Sequence, residues 1–176
     1  MESFIQLGSK IKRIVKGKFN SGPNLKGSSN LSVLPKVNVD ILAVNTKTDQ
    51  IVSHQRTHNL ALRDGRNLIR DFLDNEEVTG LTTFALGTGD KEEEDTDEEL
   101  ENEVFADQIT KTTKDTGKLT CIYYLRAEDA NNNDLKEAIL RTDQGRVYAR
   151  VVFNEAIEKN DSIAVTFTWE LTWVVV

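Results

Sequence analysis

The sequence contains very little cysteine and no long apolar segment. Its one cysteine, Cys121, sits in the apolar stretch LTCIYYL and has no partner for an intrachain disulfide. A lone cysteine in such a stretch is typical of a small buried hydrophobic residue rather than a nucleophile. No apolar run approaches the roughly 20 residues that a membrane-spanning helix needs, and residues 1–19 lack the apolar core of a signal peptide. We therefore expect a protein that is made and kept in a reducing cytoplasm and does not enter a membrane.

Histidine is nearly as scarce, which removes most routes to catalysis. His54 and His58 are the only two histidines in the 176 residues. They stand four apart in a segment that predicts a strand, where the usual rise separates them by about 13 Å, too far for one metal ion. One cysteine and two histidines also supply no plausible nucleophile and base pair. The sequence therefore predicts a protein that is not an enzyme and carries no cofactor or metal.

Charge is distributed unevenly along the chain. Residues 1–36 carry seven basic residues against the single acid Glu2, whereas the rest of the chain carries 15 basic and 28 acidic residues, a formal charge of −13. Residues 20–36 are rich in glycine, serine, asparagine and proline, which favours an extended linker. The sequence thus predicts a basic N-terminal arm and linker at 1–36, joined to an acidic domain at 37–176.

The arm is expected to bind another protein rather than to fold by itself. It holds too few large apolar residues to offset a backbone entropy cost of about 1–2 kcal/mol for each ordered residue. Its alternation of basic and apolar residues suits docking on an acidic protein surface. Nucleic acid is the alternative partner, although the acidic domain would repel a phosphate backbone. The predicted partner-binding residues are Phe4, Ile5, Lys10, Ile11, Lys12, Arg13, Ile14, Val15, Lys16 and Phe19.

The acidic domain shows the period-two alternation of β-strands. Short apolar runs separated by turn residues begin at Val37, and the last of them, SIAVTFTWELTWVVV, places Phe167, Trp169 and Leu171 on one face. Seven or eight such strands predict an all-β fold, an antiparallel β-sandwich or flattened barrel. We expect Phe167, Trp169 and Leu171 to lie in its core. The last three residues are apolar on both strand faces and are predicted to contact another subunit: Val174, Val175 and Val176.

One short α-helix interrupts the strands at about 64–74. Asp64 is its predicted N-cap, because its carboxylate can accept the free N–H groups of the first turn. A helix of about ten residues is not stable alone in water, so its apolar face should rest on a sheet. That face consists of Leu68, Ile69, Phe72 and Leu73.

A run of acidic residues at about 90–103 follows the third predicted strand. It contains ten acids and one lysine, without the residue spacing of an EF-hand. Ten carboxylates repel one another and offer almost no apolar surface to bury. The run therefore predicts a solvated, loosely held loop, unless cations or a basic neighbour neutralise it.

Five segments follow one another between about residues 50 and 174: NLALRDGRNLIRDFL, TTFALGTGD, ELENEVF, LKEAILRTDQGRVYARVVF and SIAVTFTWELTW. In this order they resemble the motifs of a β-domain found in phage tail, baseplate and tail-fibre proteins. Those motifs are a GR pair at the start of a helix, an ALGTG strand, an L-x-x-E segment, EAGL and A-R strands, and a closing I-x-W-x-L strand. The chain departs from the pattern at Ile139, where the family usually has glycine, and its acidic run is longer.

The resemblance implies a structural component of a phage virion, in a tail, neck or baseplate. Such a protein would assemble as a homo-oligomer in the host cytoplasm, with other virion proteins as further partners reached through the N-terminal arm. The pair Gly65 and Arg66 would mark the family rather than a catalytic turn, and the helix would cover an open end or face of the sandwich. The alternative is a host-surface or carbohydrate-binding appendage domain, which an exposed aromatic patch with convergent polar groups would favour.

Overall fold

A computed structural model describes residues 35–76 and 79–173, which form nine β-strands and one α-helix. The N-terminal arm with its predicted partner-binding residues, and the predicted subunit contacts Val174, Val175 and Val176, lie outside the described residues. The first strand begins at Lys36, one residue before the predicted start of the acidic domain.

The strands form two antiparallel sheets. The five-stranded sheet has the order β2-β1-β9-β6-β5 and consists of β1 (Lys36–Asn45), β2 (Gln50–Leu60), β5 (Lys111–Asp115), β6 (Lys118–Leu125) and β9 (Ile163–Thr172). The four-stranded sheet has the order β4-β3-β7-β8 and consists of β3 (Leu81–Gly87), β4 (Glu103–Gln108), β7 (Asn133–Thr142) and β8 (Val147–Lys159). The helix α1 (Arg63–Leu73) connects β2 to β3.

The core lies between the two sheets, as the alternation of apolar residues predicts. Phe167, Trp169 and Leu171 on β9 are fully buried, and Phe84 on β3 packs on Phe167 with 4.8 Å between the ring centroids. Burying each such side chain stabilises the fold by roughly 1.5–3 kcal/mol. The prediction of an antiparallel β-sandwich with one short helix is therefore confirmed, and so is the placement of these three residues in the core.

The described residues contain more strands than the seven or eight predicted, because the segment VFADQITKTT is divided between the two sheets. Its first part lies in β4, beside β3, and its second part lies in β5, at the edge of the other sheet. Ile109, between them, donates its backbone N–H to the carbonyl of Thr82 at 2.8 Å. The chain changes sheets at this point, which apolar periodicity alone does not reveal.

The helix begins at Arg63, one residue before the predicted range of about 64–74, and the assignment of Asp64 as its N-cap is wrong. Leu62 occupies the N-cap position, and no side chain caps the helix there. The carboxylate of Asp64 instead accepts hydrogen bonds from Arg146 at 2.7 Å and from the backbone N–H of Val147 at 3.1 Å. Asp64 therefore binds Arg146, in the turn before β8, and the backbone of Val147, at the start of β8, instead of capping its own helix.

The predicted apolar face of the helix is only partly buried. Gly65, Leu68 and Asp71 form the buried side of α1, whereas Phe72 is 70% exposed and Leu73 is 77% exposed. The helix is held on this side because Gly65 lies against the backbone of Tyr148 and Asp71 pairs with Arg146. The expectation that Phe72 and Leu73 rest on a sheet is therefore wrong.

Candidate functional site

The acidic run forms a loop over residues 90–102, which we call the acidic loop, and its last member, Glu103, begins β4. A buried carboxylate on β7 holds the two ends of this loop. Glu137 is fully buried. Its carboxylate accepts the backbone N–H groups of Gly89, Glu101 and Asn102 at 3.0, 3.1 and 3.0 Å. Three amide donors converging on one carboxylate satisfy a buried charge that would otherwise be costly. Glu137 therefore closes the loop at its base.

Arg150 on β8 complements this carboxylate and reaches further into the loop. Its guanidinium is 1% exposed and lies 2.9 Å from the Glu137 carboxylate. It also donates to the carboxylate of Asp97 at 2.8 Å and to the carbonyl of Lys91 at 3.0 Å. Burial opposes the charge of Arg150, but the hydrogen bonds to Glu137 and Asp97 outweigh it and raise the pKa of Arg150. Arg150 thus stays charged and joins the middle of the loop to its base.

Further ion pairs tie the outer part of the acidic loop to the helix and the sheet. Arg66 on α1 donates to both carboxylate oxygens of Asp95 at 2.7 and 2.9 Å, and this hydrogen bonding lowers the pKa of Asp95. Lys136 on β7 pairs with Asp90 at 3.0 Å. Leu100 is buried among apolar residues on the outer face of the four-stranded sheet.

The expectation of a loosely held loop is therefore wrong. The chain's own arginine and lysine side chains supply the positive charge that cations or another protein were expected to provide. Three glutamates of the loop have no ion-pair or hydrogen-bond partner among the described residues, and they are exposed: Glu92, Glu98 and Glu99. Within residues 35–76 and 79–173, no three histidine, cysteine or acidic side chains are placed to hold a metal ion.

Residues from four of the five family-like motifs meet at this loop. Arg66 of the first motif pairs with Asp95 of the loop, and Gly65 beside it allows α1 to approach β8, since a methyl group there would clash with the backbone of Tyr148. Gly87, from the ALGTG segment, leaves room for the carboxylate of Glu137. Glu101, from the third motif, accepts the backbone N–H groups of Asp90 and Lys91 at 2.9 Å each. Sequence reasoning identified these segments but not their convergence on the acidic loop.

An open apolar groove lies on the other side of α1, at one end of the sandwich. It has a volume of about 400 Å³, and Phe72 forms part of its wall. Monomeric proteins rarely expose large contiguous apolar patches, and such patches often mark a protein-interaction or ligand-binding site. The other apolar and aromatic residues that line it are Leu68, Ile69, Leu81, Leu119, Tyr148, Leu171 and Trp173.

A polar depression occupies the outer face of the five-stranded sheet. It has a volume of about 610 Å³, and Asp40 lies on its floor beside Arg56, 2.7 Å away, and His54, 3.1 Å away. Burial works against the charge of Asp40, but hydrogen bonds from Arg56 and His54 prevail and lower the pKa of this carboxyl. Tyr124, 47% exposed, lies on the same outer face two strands away. The depression is also lined by Asn38, His58, Thr168 and Glu170.

The cysteine and the two histidines, which were considered for catalysis, lie on opposite faces of the five-stranded sheet. Cys121 is 1% exposed in the core, and burial raises the pKa of its thiol to about 11. The prediction that it is a buried hydrophobic residue is confirmed. His54 and His58 lie on the opposite, solvent-facing side of the same sheet, so the structure brings no histidine to the cysteine.

Comparison with known proteins identifies no relative of this chain. No protein-family model matches the chain, and neither a characterised protein nor a solved structure matches it. Among the described residues, no helix has the length and apolar character needed to span a membrane.

Proposed function

We propose that this protein is a structural component of a phage virion, in a tail, neck or baseplate, and that it assembles there as a homo-oligomer. The observation that carries the proposal is the meeting of four family-like motifs at the acidic loop, beside the buried Glu137–Arg150 pair. Motifs that are separate in the sequence but build one structural unit support the resemblance more strongly than their order alone. Because fold does not fix function, the virion role rests on that resemblance.

The surface of the molecule supports an assembly role. The open groove and the exposed side chains of Phe72 and Leu73 give the sandwich an apolar surface suited to contact with another protein. Two further contacts are proposed from the sequence. The basic arm would dock on the acidic surfaces of neighbouring virion proteins, and Val174, Val175 and Val176 would contact another subunit.

The protein is proposed to act without catalysis and without a cofactor. Its buried charged network serves to order a loop, and the one thiol is protonated and buried at neutral pH. We expect these groups to stabilise the fold rather than to activate a substrate.

Sedimentation velocity of the full chain tests the assembly role. We expect a discrete oligomer at micromolar concentration. A matched variant reverses the charge of the arm by replacing four basic residues with glutamate: Lys10, Lys12, Arg13 and Lys16. We expect this variant to lose contacts with neighbouring proteins while its thermal melt is unchanged. A chain that stays monomeric at all concentrations and after mixing with phage structural proteins would contradict the proposal.

Binding of a host-surface carbohydrate is the second candidate function, and the polar depression favours it. Asp40, Arg56 and Glu170 present charged hydrogen-bonding groups around a shallow site, and Tyr124 supplies an aromatic ring on the same face. Hydroxyl-rich ligands use such convergent polar groups. A glycan array probed with the full chain tests this function, with Arg56→Ala as the matched variant. Binding that the substitution abolishes would support it, and no binding to any glycan would exclude it.

A further inference from the structure

The exposed side of α1 has a graded chemical character along the helix axis. Positions separated by three or four residues lie on the same side of a helix, and here Arg66, Ile69, Arg70, Leu73 and Asp74 line one shallow surface depression. Along the helix this side begins with the basic Arg66, continues with Ile69, Arg70 and Leu73, and ends with the acidic Asp74. We call these five residues the α1 stripe.

The middle of the α1 stripe leaves large apolar side chains in water. Leu73 is 77% exposed, and its neighbour Phe72, which also lines the apolar groove, is 70% exposed. Ile69, one turn earlier, is half-buried. The ridge formed by Phe72 and Leu73 therefore stands directly beside an open groove on the same molecule.

Two opposite charges of the stripe, Arg70 and Asp74, lie on either side of Leu73 in the sequence. Arg70 keeps 69% of its side chain exposed although it also pairs with Asp71. Asp74 is exposed and has no ion pair among the described residues. If two such stripes face each other with their helices parallel, like charges meet; if the helices are antiparallel, Arg70 of each copy faces Asp74 of the other.

We propose that a second copy of this chain covers the α1 stripe, with the two α1 helices antiparallel about a two-fold axis. This inference rests on the homo-oligomer of the proposed function and names the face that a pair of subunits shares. A two-fold interface uses the same surface patch on both subunits and therefore requires a self-complementary patch. The α1 stripe meets that requirement in its charges, and the ridge beside the groove meets it in shape.

Substitution of an exposed residue tests the apolar part of the contact without disturbing the core. We expect Leu73→Glu in the full chain to weaken pairing at least tenfold in sedimentation velocity, with an unchanged thermal melt. Ile51→Glu is the matched control, because Ile51 is 65% exposed on β2, away from the helix. An association constant for Leu73→Glu equal to that of the control and the original chain would overturn the inference.

A charge exchange tests the antiparallel arrangement itself. We expect Arg70→Glu and Asp74→Arg each to impair self-pairing, because each variant places like charges opposite one another. Mixed together, the two variants present opposite charges at both contacts, so the mixture should form a one-to-one pair.

Loss of pairing in Leu73→Glu without recovery in the mixture would show that a different segment covers this face, and would overturn the two-fold arrangement. Two further outcomes separate this inference from the proposed function. If the original chain enters virions but Leu73→Glu pairs normally, the α1 pairing is overturned and the proposed function stands. If the original chain pairs through α1 but never enters virions, the proposed function is overturned and the pairing stands.

Discussion

Glu137 and Arg150 form an ion pair beneath the acidic loop, with 2.9 Å between guanidinium nitrogen and carboxylate oxygen, and both side chains are excluded from water. The two residues lie on adjacent antiparallel strands, β7 and β8. Between them they hold both ends of the acidic loop and its middle. These two residues, which lie far from the acidic loop in sequence, anchor its base and middle, while Arg66 and Lys136 pair with its outer part.

Substituting one member of this pair should destabilise the fold strongly. We expect Arg150→Met to lower the free energy of unfolding by about 3–5 kcal/mol, because it leaves the buried Glu137 charge without its partner. Urea unfolding followed by circular dichroism measures the change. Arg126→Gln is the control, since the Arg126–Asp129 pair is largely exposed on its arginine side and such pairs contribute about 0–1 kcal/mol. Equal effects of the two substitutions would show that the buried pair does not hold the loop.

The close packing of α1 on β8 should depend on the absence of a side chain at Gly65. We expect Gly65→Ala to cost about 1–3 kcal/mol, because the added methyl group would overlap the backbone of Tyr148 and force a shift. Gly80→Ala is the matched change at a glycine with open space around it. Its thermal melt should stay close to that of the original chain. If both alanine variants melted alike, the packing of α1 on β8 described above would be incorrect.

Stability should fall at acidic pH through the paired carboxylates. Hydrogen bonds from Arg70 and then Arg146 lower the pKa of Asp71, and the hydrogen bond from Arg66 lowers that of Asp95. A lowered pKa in the folded state stabilises the fold above the unfolded value of about 3.9, and this contribution is lost as the pH falls through the folded pKa. Thermal melts should therefore be nearly constant from pH 7 to 5 and decline below about pH 4.

The comparison of two asparagine variants isolates these carboxylates. Asp71→Asn and Asp95→Asn should melt earlier than the original chain at pH 7 and show a shallower decline below pH 4. A decline as steep as that of the original chain would assign the acid sensitivity to other groups.

Removing the basic arm should separate folding from assembly. The described residues 35–76 and 79–173 belong to one compact unit, so a chain that begins at Ser32 should keep a cooperative thermal melt. We expect this shorter chain to lose association with neighbouring virion proteins, measured by light scattering of mixtures. Loss of the melt would show that the arm contributes to the core. Unchanged association would assign the arm another role, with nucleic acid as the first alternative.

Strand patterning predicted much of the fold and little of the site. The alternation of Phe167, Trp169 and Leu171 is a local signal of one buried strand face, and the structure agrees with it. Asp64 carries an equally local signal, but a pairing with Arg146, 82 positions away, displaced it. Burial of the α1 face also failed as a prediction, because periodicity shows that a helix has an apolar side but not how much of it a sheet covers.

The acidic loop shows the same limit more clearly. Composition alone predicts repulsion among its carboxylates, since the compensating groups lie on other elements: Arg66 on α1, Lys136 and Glu137 on β7, and Arg150 on β8. Glu137 and Arg150 were visible as members of family-like motifs. Nothing in their sequence neighbourhood indicates that they pair with each other or with residues 35 to 59 positions earlier in the chain.

Quantitative mass spectrometry of purified phage particles tests the central claim most directly. Particles from a host that produces this chain would be banded on a density gradient, stripped of loosely bound protein with salt, and digested. The account predicts that peptides of this chain co-sediment with infectious particles at a fixed copy number relative to known tail proteins. Peptides found only in the soluble lysate, and none in salt-washed particles, would contradict it.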